Sequence, residues 1–179
     1  MLKWQVAELA KYKSEAMPFT EIINVTAELT TTFGDMVLDA SDLQVTGFAQ
    51  ADQEDIIVHA HVTGELIVPS SRSLKPVTLP VDYDIDEIYL QKADHAERYD
   101  LEDSVILLEG DVIDFKQAVI EFTVLQVPLQ ILTPEEENEP LPSGTGWTVM
   151  AEEEYEQQAD DVAVEANTPL AGLKDLFKD

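Results

Sequence analysis

Apolar and polar residues alternate most regularly between residues 56 and 81. Ile56, Val58, Ala60, Val62, Gly64, Leu66 and Val68 fall at every second position. Side chains alternate across a strand, so this set lines one face. His59, His61, Thr63 and Glu65 line the other, wetter face. After a break, Val77, Leu79, Val81 and Tyr83 repeat the pattern. The break runs Pro69-Ser70-Ser71-Arg72-Ser73-Leu74-Lys75-Pro76. Pro69 lacks an amide donor and Pro76 holds Lys75 extended, so both mark strand ends. Serine hydroxyls suit the turn between them because they satisfy local backbone groups.

The same reading runs along the rest of the chain. Residues 3–13 predict a short helix with Trp4, Val6, Leu9 and Ala10 on its apolar side. Lys3, Lys11 and Lys13 there form either a solvated helix edge or a small basic spot for RNA or an acidic surface. Val25, Ala27, Leu29, Thr31 and Phe33 alternate, predicting a strand stopped at Gly34-Asp35. Residues 36–38 and 43–48 predict short strands, with Gly47 at a bulge. Successive strands with no helix between them favour an antiparallel, curved sheet. Residues 84–104 are polar without sustained period and read as a mobile loop with an edge strand. Residues 105–108 predict a short strand. In residues 114–127, Phe115, Ala118, Val119 and Phe122 sit at helical spacing, and Asp114 is placed to cap a helix. The β-branched content leaves a strand open as well.

Composition changes from Thr133 onward. Glu135 to Glu137, Glu139, Glu152 to Glu154, Glu156, Asp160, Asp161 and Glu165 make a run that repels itself. The expected organisation is a body at 1–132, an acidic, partly disordered segment at 133–167, and an amphipathic helix at 168–179. Leu170, Leu173, Leu176 and Phe177 stripe that helix, which would dock on the body or on a partner.

Charge narrows the function classes. Of 179 residues, 37 are acidic and 10 basic, a formal net charge of −27. Such a chain repels phosphate backbones, which argues against coating RNA nonspecifically and favours a basic protein partner or a local basic patch. The absence of cysteine excludes disulfides, thiolate nucleophiles and cysteine-ligated zinc. No apolar run approaches the roughly 20 residues of a membrane helix. Met1-Leu2-Lys3-Trp4-Gln5 lacks a signal peptide's apolar segment, so a cytoplasmic location is expected.

Val62-Thr-Gly-Glu-Leu-Ile-Val-Pro-Ser-Ser-Arg-Ser-Leu-Lys-Pro-Val77 resembles the hallmark of the bacterial YceD family, also described as large ribosomal RNA subunit accumulation proteins. The family's usual form there is Cys-x-x-Cys with an Arg just before the second Cys, then Leu-x-Pro. Arg72, Leu74 and Pro76 match, and Ser70 and Ser73 stand at the cysteine positions. Gly110-Asp111-Val112-Ile113-Asp114-Phe115, the run to Leu125-Gln126-Val127-Pro128, and Pro169 to Phe177 also resemble the family. The resemblance tips residues 114–127 toward a mostly buried helix. The expected fold is therefore α+β: a curved, mainly antiparallel sheet, open to barrel-like closure, with a buried helix and short terminal helices.

Within the family, Cys-x-x-Cys and a second cysteine cluster look like a metal site. Serine hydroxyls do not replace thiolates on zinc, and residues 133–147 hold no cysteine, so no metal is expected here. His59 and His61 share a strand face, with only His95 to join them, and read as structural or solvent-facing. Asp111 and Asp114 read as incidental. No Gly-x-Ser-x-Gly elbow or phosphate-cradling glycine loop occurs. No catalytic residue and no cofactor is expected. Arg72, with Lys75, Ser70 and Ser73, is the candidate interaction site: either Arg72 pins the turn to a carboxylate or carbonyl, or it contacts RNA or a partner. The resemblance implies a non-enzymatic factor supporting 23S rRNA synthesis, processing or stability, with a ribosomal protein or ribosomal RNA precursor as partner. An acidic interaction or regulatory module unrelated to ribosomes is the alternative.

Overall fold

The computed structural model of the chain describes residues 2–139 and 143–150. The segment at 168–179 lies outside them. Contacts divide the chain into two units, one ending at Glu137 and one beginning at Asn138.

The first unit is built on the predicted pair of strands. β5 (Asp55–Pro69) and β6 (Pro76–Leu90) form a long antiparallel hairpin, in register from Ile56 opposite Tyr89 to Pro69 opposite Pro76. β4 (Leu43–Asp52) pairs with the other side of β5, and β2 (Met17–Ile23) with β4, both antiparallel. The short β3 (Asp39–Ala40) also pairs with β5, and β7 (Val105–Leu107) runs parallel to β6. The order is β2-β4-β5-β6-β7, so the sheet is curved and mainly antiparallel, and among the described residues it stays open instead of closing into a barrel.

One face of the sheet is the core. Val45, Val58, Ala60, Val62, Leu66, Val68 and Ile85 on it have no exposed surface. The helix α3 (Phe115–Leu125) covers this face, burying Phe115, Ala118, Val119, Ile120 and Val124. The Tyr83 hydroxyl reaches Thr123 Oγ1 on α3 at 2.6 Å, and burial pushes that phenol up to about 12. The strand β1 (Lys3–Gln5) pairs with β8 (Val112–Asp114), and Trp4, Phe19 and Phe115 stack with ring centroids 5.0–6.1 Å apart. Full burial of Phe115 contributes on the order of 2–3 kcal/mol.

Five expectations are corrected. The N-terminal helix is a single turn, α1 (Val6–Leu9), because residues 3–5 are recruited as a strand by β8. Residues 25–33 are a helix, α2 (Thr26–Thr32), where a strand was expected. Val25, Leu29 and Phe33 satisfy both periods, since they lie four apart. The backbone bonds Leu29 N–H to Val25 O and Phe33 N–H to Leu29 O choose the helix, which leaves Ala27 and Thr31 exposed. Gly47 is not a bulge: the register passes through it unbroken, opposite Phe19 and Ala60. Asp114 precedes α3 without capping it; its carboxylate pairs with Lys3 Nζ at 2.9 Å instead. Residues 36–38 likewise form a turn around the buried Val37, with the bridge displaced to β3.

Much of the expected loop at 84–104 is ordered. Residues 84–90 continue β6, and a 3-10 helix (Ala93–Arg98) follows. That helix is tied to the fully buried Asp55. His95 Nδ1 lies 2.7 Å from Asp55 Oδ1, and the Tyr99 hydroxyl donates to Oδ2 at 3.1 Å. Burial and the Asp55 charge push Tyr99 up to about 12.

Glu87 faces the core, 4% exposed, and accepts from the Tyr89 hydroxyl. Burial raises its carboxyl pKa; the Tyr89 bond opposes this and Glu121 adds to it. A raised acid pKa favours folding below the unfolded value, and that contribution is lost as pH rises through the folded value. Glu87→Gln is therefore expected to raise Tm by a few degrees near pH 7 and to leave it unchanged below about pH 4. Thermal melts across this range check it; equal shifts at both ends would refute it.

In the second unit, Ser143–Gly144 (β9) and Trp147–Thr148 (β10) form a small antiparallel hairpin.

Candidate functional site

The β5–β6 turn is closed from within by Ser70. Its N–H donates to Lys75 O at 2.8 Å, and Leu74 N–H returns to Ser70 O at 3.0 Å. The Ser70 hydroxyl oxygen accepts from the N–H groups of Arg72 (3.1 Å) and Ser73 (3.3 Å). Leu74 takes a left-handed φ of 61° to complete the turn and leaves its side chain exposed. Lys75 is exposed, with its N–H 3.4 Å from Ser73 Oγ.

The chain after α3 comes back to this turn. Ser71 N–H donates to Ile131 O at 2.7 Å, and Ile131 N–H donates to Ser71 Oγ at 3.0 Å. The short helix α4 (Pro134–Asn138) then starts with a reciprocal cap. Glu136 N–H donates to Thr133 Oγ1 at 3.3 Å, and Thr133 N–H donates to Glu136 Oε2 at 2.9 Å. Pro134 occupies the first helical position, where no amide is needed.

Glu136 links the two halves. It is 4% exposed, and its Oε2 also receives the hydroxyl proton of the fully buried Ser70 at 2.5 Å. Arg72 Nη1 donates to the Glu136 carbonyl at 2.8 Å. The Ser70 bond, then the nearby Ser73 hydroxyl, then Thr133 N–H hold the Glu136 carboxyl down at about 2, with a smaller contribution from Arg72. The Ser73 hydroxyl lies close enough to favour the ionised carboxylate, yet no well-formed hydrogen bond reaches the buried Oε1. The arrangement is a clasp, in which one carboxylate serves as helix cap and as anchor for a hairpin 66 residues away in sequence.

The sequence-predicted site residues thus separate. Ser70 is inside the clasp and out of reach of a partner. Arg72 is exposed overall but pins the turn to a carbonyl through one nitrogen. Ser73 and Lys75 are exposed. Thr133 and Glu136 were missed: Thr133-Pro134-Glu135-Glu136 carries the signal of a capping box, hidden at the start of an acidic run. Beside the turn lies a groove of about 310 Å³, lined in part by Met36, Leu74, Val127, Leu129 and Ile131.

A zinc-type site does not fit these donors. Both lone pairs of Ser70 are taken by amides and its proton by Glu136, so it has nothing to offer a soft cation. Among the described residues, no three His, Cys, Asp or Glu side chains gather to hold a metal. His59 and His61 pair instead with Asp86 and Asp84, His95 with Asp55. Asp111 and Asp114 have separate partners, Val6 N–H on the Asp111 carbonyl and Lys3 on the Asp114 carboxylate.

Residues 58–177 match the family model described as "Large ribosomal RNA subunit accumulation protein YceD", a span that contains both halves of the clasp. The chain belongs to the YceD family. It is also 28% identical over 180 residues to "Uncharacterized protein YlbN" of Bacillus subtilis (strain 168), covering 99% of this chain and 97% of that one. No solved structure matches it. In this YceD-family chain, the turn with its serines and the returning segment that carries Glu136 are one structural unit. Among the described residues, no helix is long and apolar enough to cross a membrane.

Proposed function

We propose that this chain is a non-enzymatic accessory factor of large-subunit ribosome biogenesis that works by contact. Membership of a family described by large ribosomal RNA subunit accumulation carries the reading. The net charge of −27 shapes its mechanism, because so acidic a surface disfavours gripping ribosomal RNA and favours holding a basic ribosomal protein. The clasp serves this by fixing the hairpin, and the sheet it belongs to, as a rigid platform.

Deleting the gene is expected to lower 23S rRNA relative to the small-subunit RNA, with restoration by the wild-type chain. Quantifying both RNAs by gel and sequencing tests this. An unchanged ratio under rapid growth would remove the reading.

A further inference from the structure

We propose that the uncovered face of the central sheet docks an extended, arginine-rich protein segment. The inference deepens the reading above and rests on it for the identity of the partner class.

The ladder register defines this face. Cross-strand partners share a side of the sheet, so three rows lie next to one another. They are Ile22, Gln44, Thr63 and Asp82; Thr20, Thr46, His61 and Asp84; and Pro18, Phe48, His59 and Asp86. The helix α3 packs on the opposite side, and no element among the described residues covers these rows. Ile22 is 70% exposed and Phe48 38%. The Asp82 and Asp86 side chains are about three-quarters exposed.

Its chemistry selects one occupant. Asp82, Asp84 and Asp86 project at every second residue, roughly 6.8 Å apart. Alternate side chains of another extended chain repeat at that interval, so three cations on one side of it meet three carboxylates. None of the ten basic residues falls in the three rows, so no lysine or arginine of the rows themselves neutralises them. The two histidines touch all three carboxylates, His59 Nδ1 at 2.5 Å from Asp86, His61 Nδ1 at 2.8 Å from Asp84 and His61 Nε2 at 3.4 Å from Asp82. They orient those carboxylates and leave them open to solvent. Phe48 lies against His59, ring centroids 5.4 Å apart, and presents an exposed aromatic surface in the same row as Asp86, with His59 between them. Within one arginine-rich segment, guanidinium groups can fork onto the aspartates of β6 while another stacks on the Phe48 ring across the row; an ammonium offers neither the fork nor the flat face. Ile22 and Phe48 add apolar contact at the β2 side. The sign of the charge rejects nucleic acid.

The test uses the full chain and a fluorescent synthetic peptide of alternating arginine and threonine, read by anisotropy at physiological salt. Asp82→Asn/Asp84→Asn/Asp86→Asn is expected to weaken binding about tenfold or more. A charge-matched control, Glu8→Gln/Glu97→Gln/Glu102→Gln, is expected to change it less than about twofold. Phe48→Ala should weaken the arginine peptide more than its lysine counterpart. Melting curves of each variant establish that it is folded. Equal losses in the two triple variants, no binding by the wild type, or preference for an RNA oligonucleotide would overturn the proposal. The two readings fail separately. If gene deletion lowers 23S rRNA and the triple aspartate variant restores it fully, the docking face is wrong and the ribosomal role stands. If deletion leaves 23S rRNA unchanged while the variant loses the peptide, the docking face stands and the ribosomal role falls.

Discussion

Gly47→Ala is expected to abolish cooperative folding, or to lower Tm by more than roughly 15 °C. A Cβ at this position would lie 2.0 Å from His59 O and 2.7 Å from the Ala60 Cα. Both atoms belong to the backbone of β5, which is held by β4 on one side and β6 on the other. Neither can retreat without breaking a ladder on its far side. On the other side of β4, Phe19 occupies the cross-strand position facing Gly47. Phe19 in turn packs on Trp4 and Phe115, so the missing side chain is part of how the aromatic cluster meets the sheet. Gly64→Ala makes an informative partner. Its Cβ would meet the tip of the buried Leu43 side chain at 2.4 Å and Ser41 Oγ at 3.2 Å, side-chain atoms that give way more readily than a strand backbone, and its effect should be smaller. Circular dichroism melts of the two variants decide the matter. A Gly47→Ala protein that melts within a few degrees of wild type would mean that the strands do not approach as described.

How legible the molecule was depends on which residues carried each element. β5 and the first half of β6 stood out because their inward positions are apolar and their outward ones polar. The second half of β6 did not, because Asp82, Asp84 and Asp86 are poor strand formers and Glu87 occupies an inward position. What holds that half in the sheet is tertiary: the ladder to β5 and the burial of Tyr83, Ile85, Tyr89 and Leu90, with histidines opposite two of the aspartates. The helix α2 was misread because a spacing of four is common to both periods, and only packing distinguishes them. In the clasp, Ser70 and Arg72 were visible from the turn's composition and the family resemblance. Glu136 was not, since one buried carboxylate among 37 acidic residues carries no local mark of its partner far along the chain. The capping box at Thr133 was the available signal, and it predicts a helix start without predicting that the same carboxylate reaches Ser70.

That carboxylate supports the second large effect. Glu136→Ala is expected to lower Tm by roughly 10 °C, because it deprives the buried Ser70 hydroxyl of its acceptor and Thr133 N–H of its cap in one step. Ser70→Ala removes the hairpin anchor but leaves the cap, so its effect should be the smaller of the two. Glu136→Gln keeps an acceptor oxygen and loses the charge, which allows the ionic part to be isolated by pH. The Glu136 carboxyl is held at about 2 against an ordinary value of 4.5, first by Ser70 and then by Ser73 and Thr133. A lowered folded pKa contributes stability that is present above the unfolded value and is lost as pH falls through the folded one. The Tm difference between wild type and Glu136→Gln should therefore be constant above about pH 5 and shrink as pH falls toward 2. Taking the difference cancels the titration of the other carboxylates, which are common to both proteins. Calorimetric scans in matched buffers give this curve directly, and a difference that stayed flat down to the lowest pH would show that Glu136 is not ionised in the clasp.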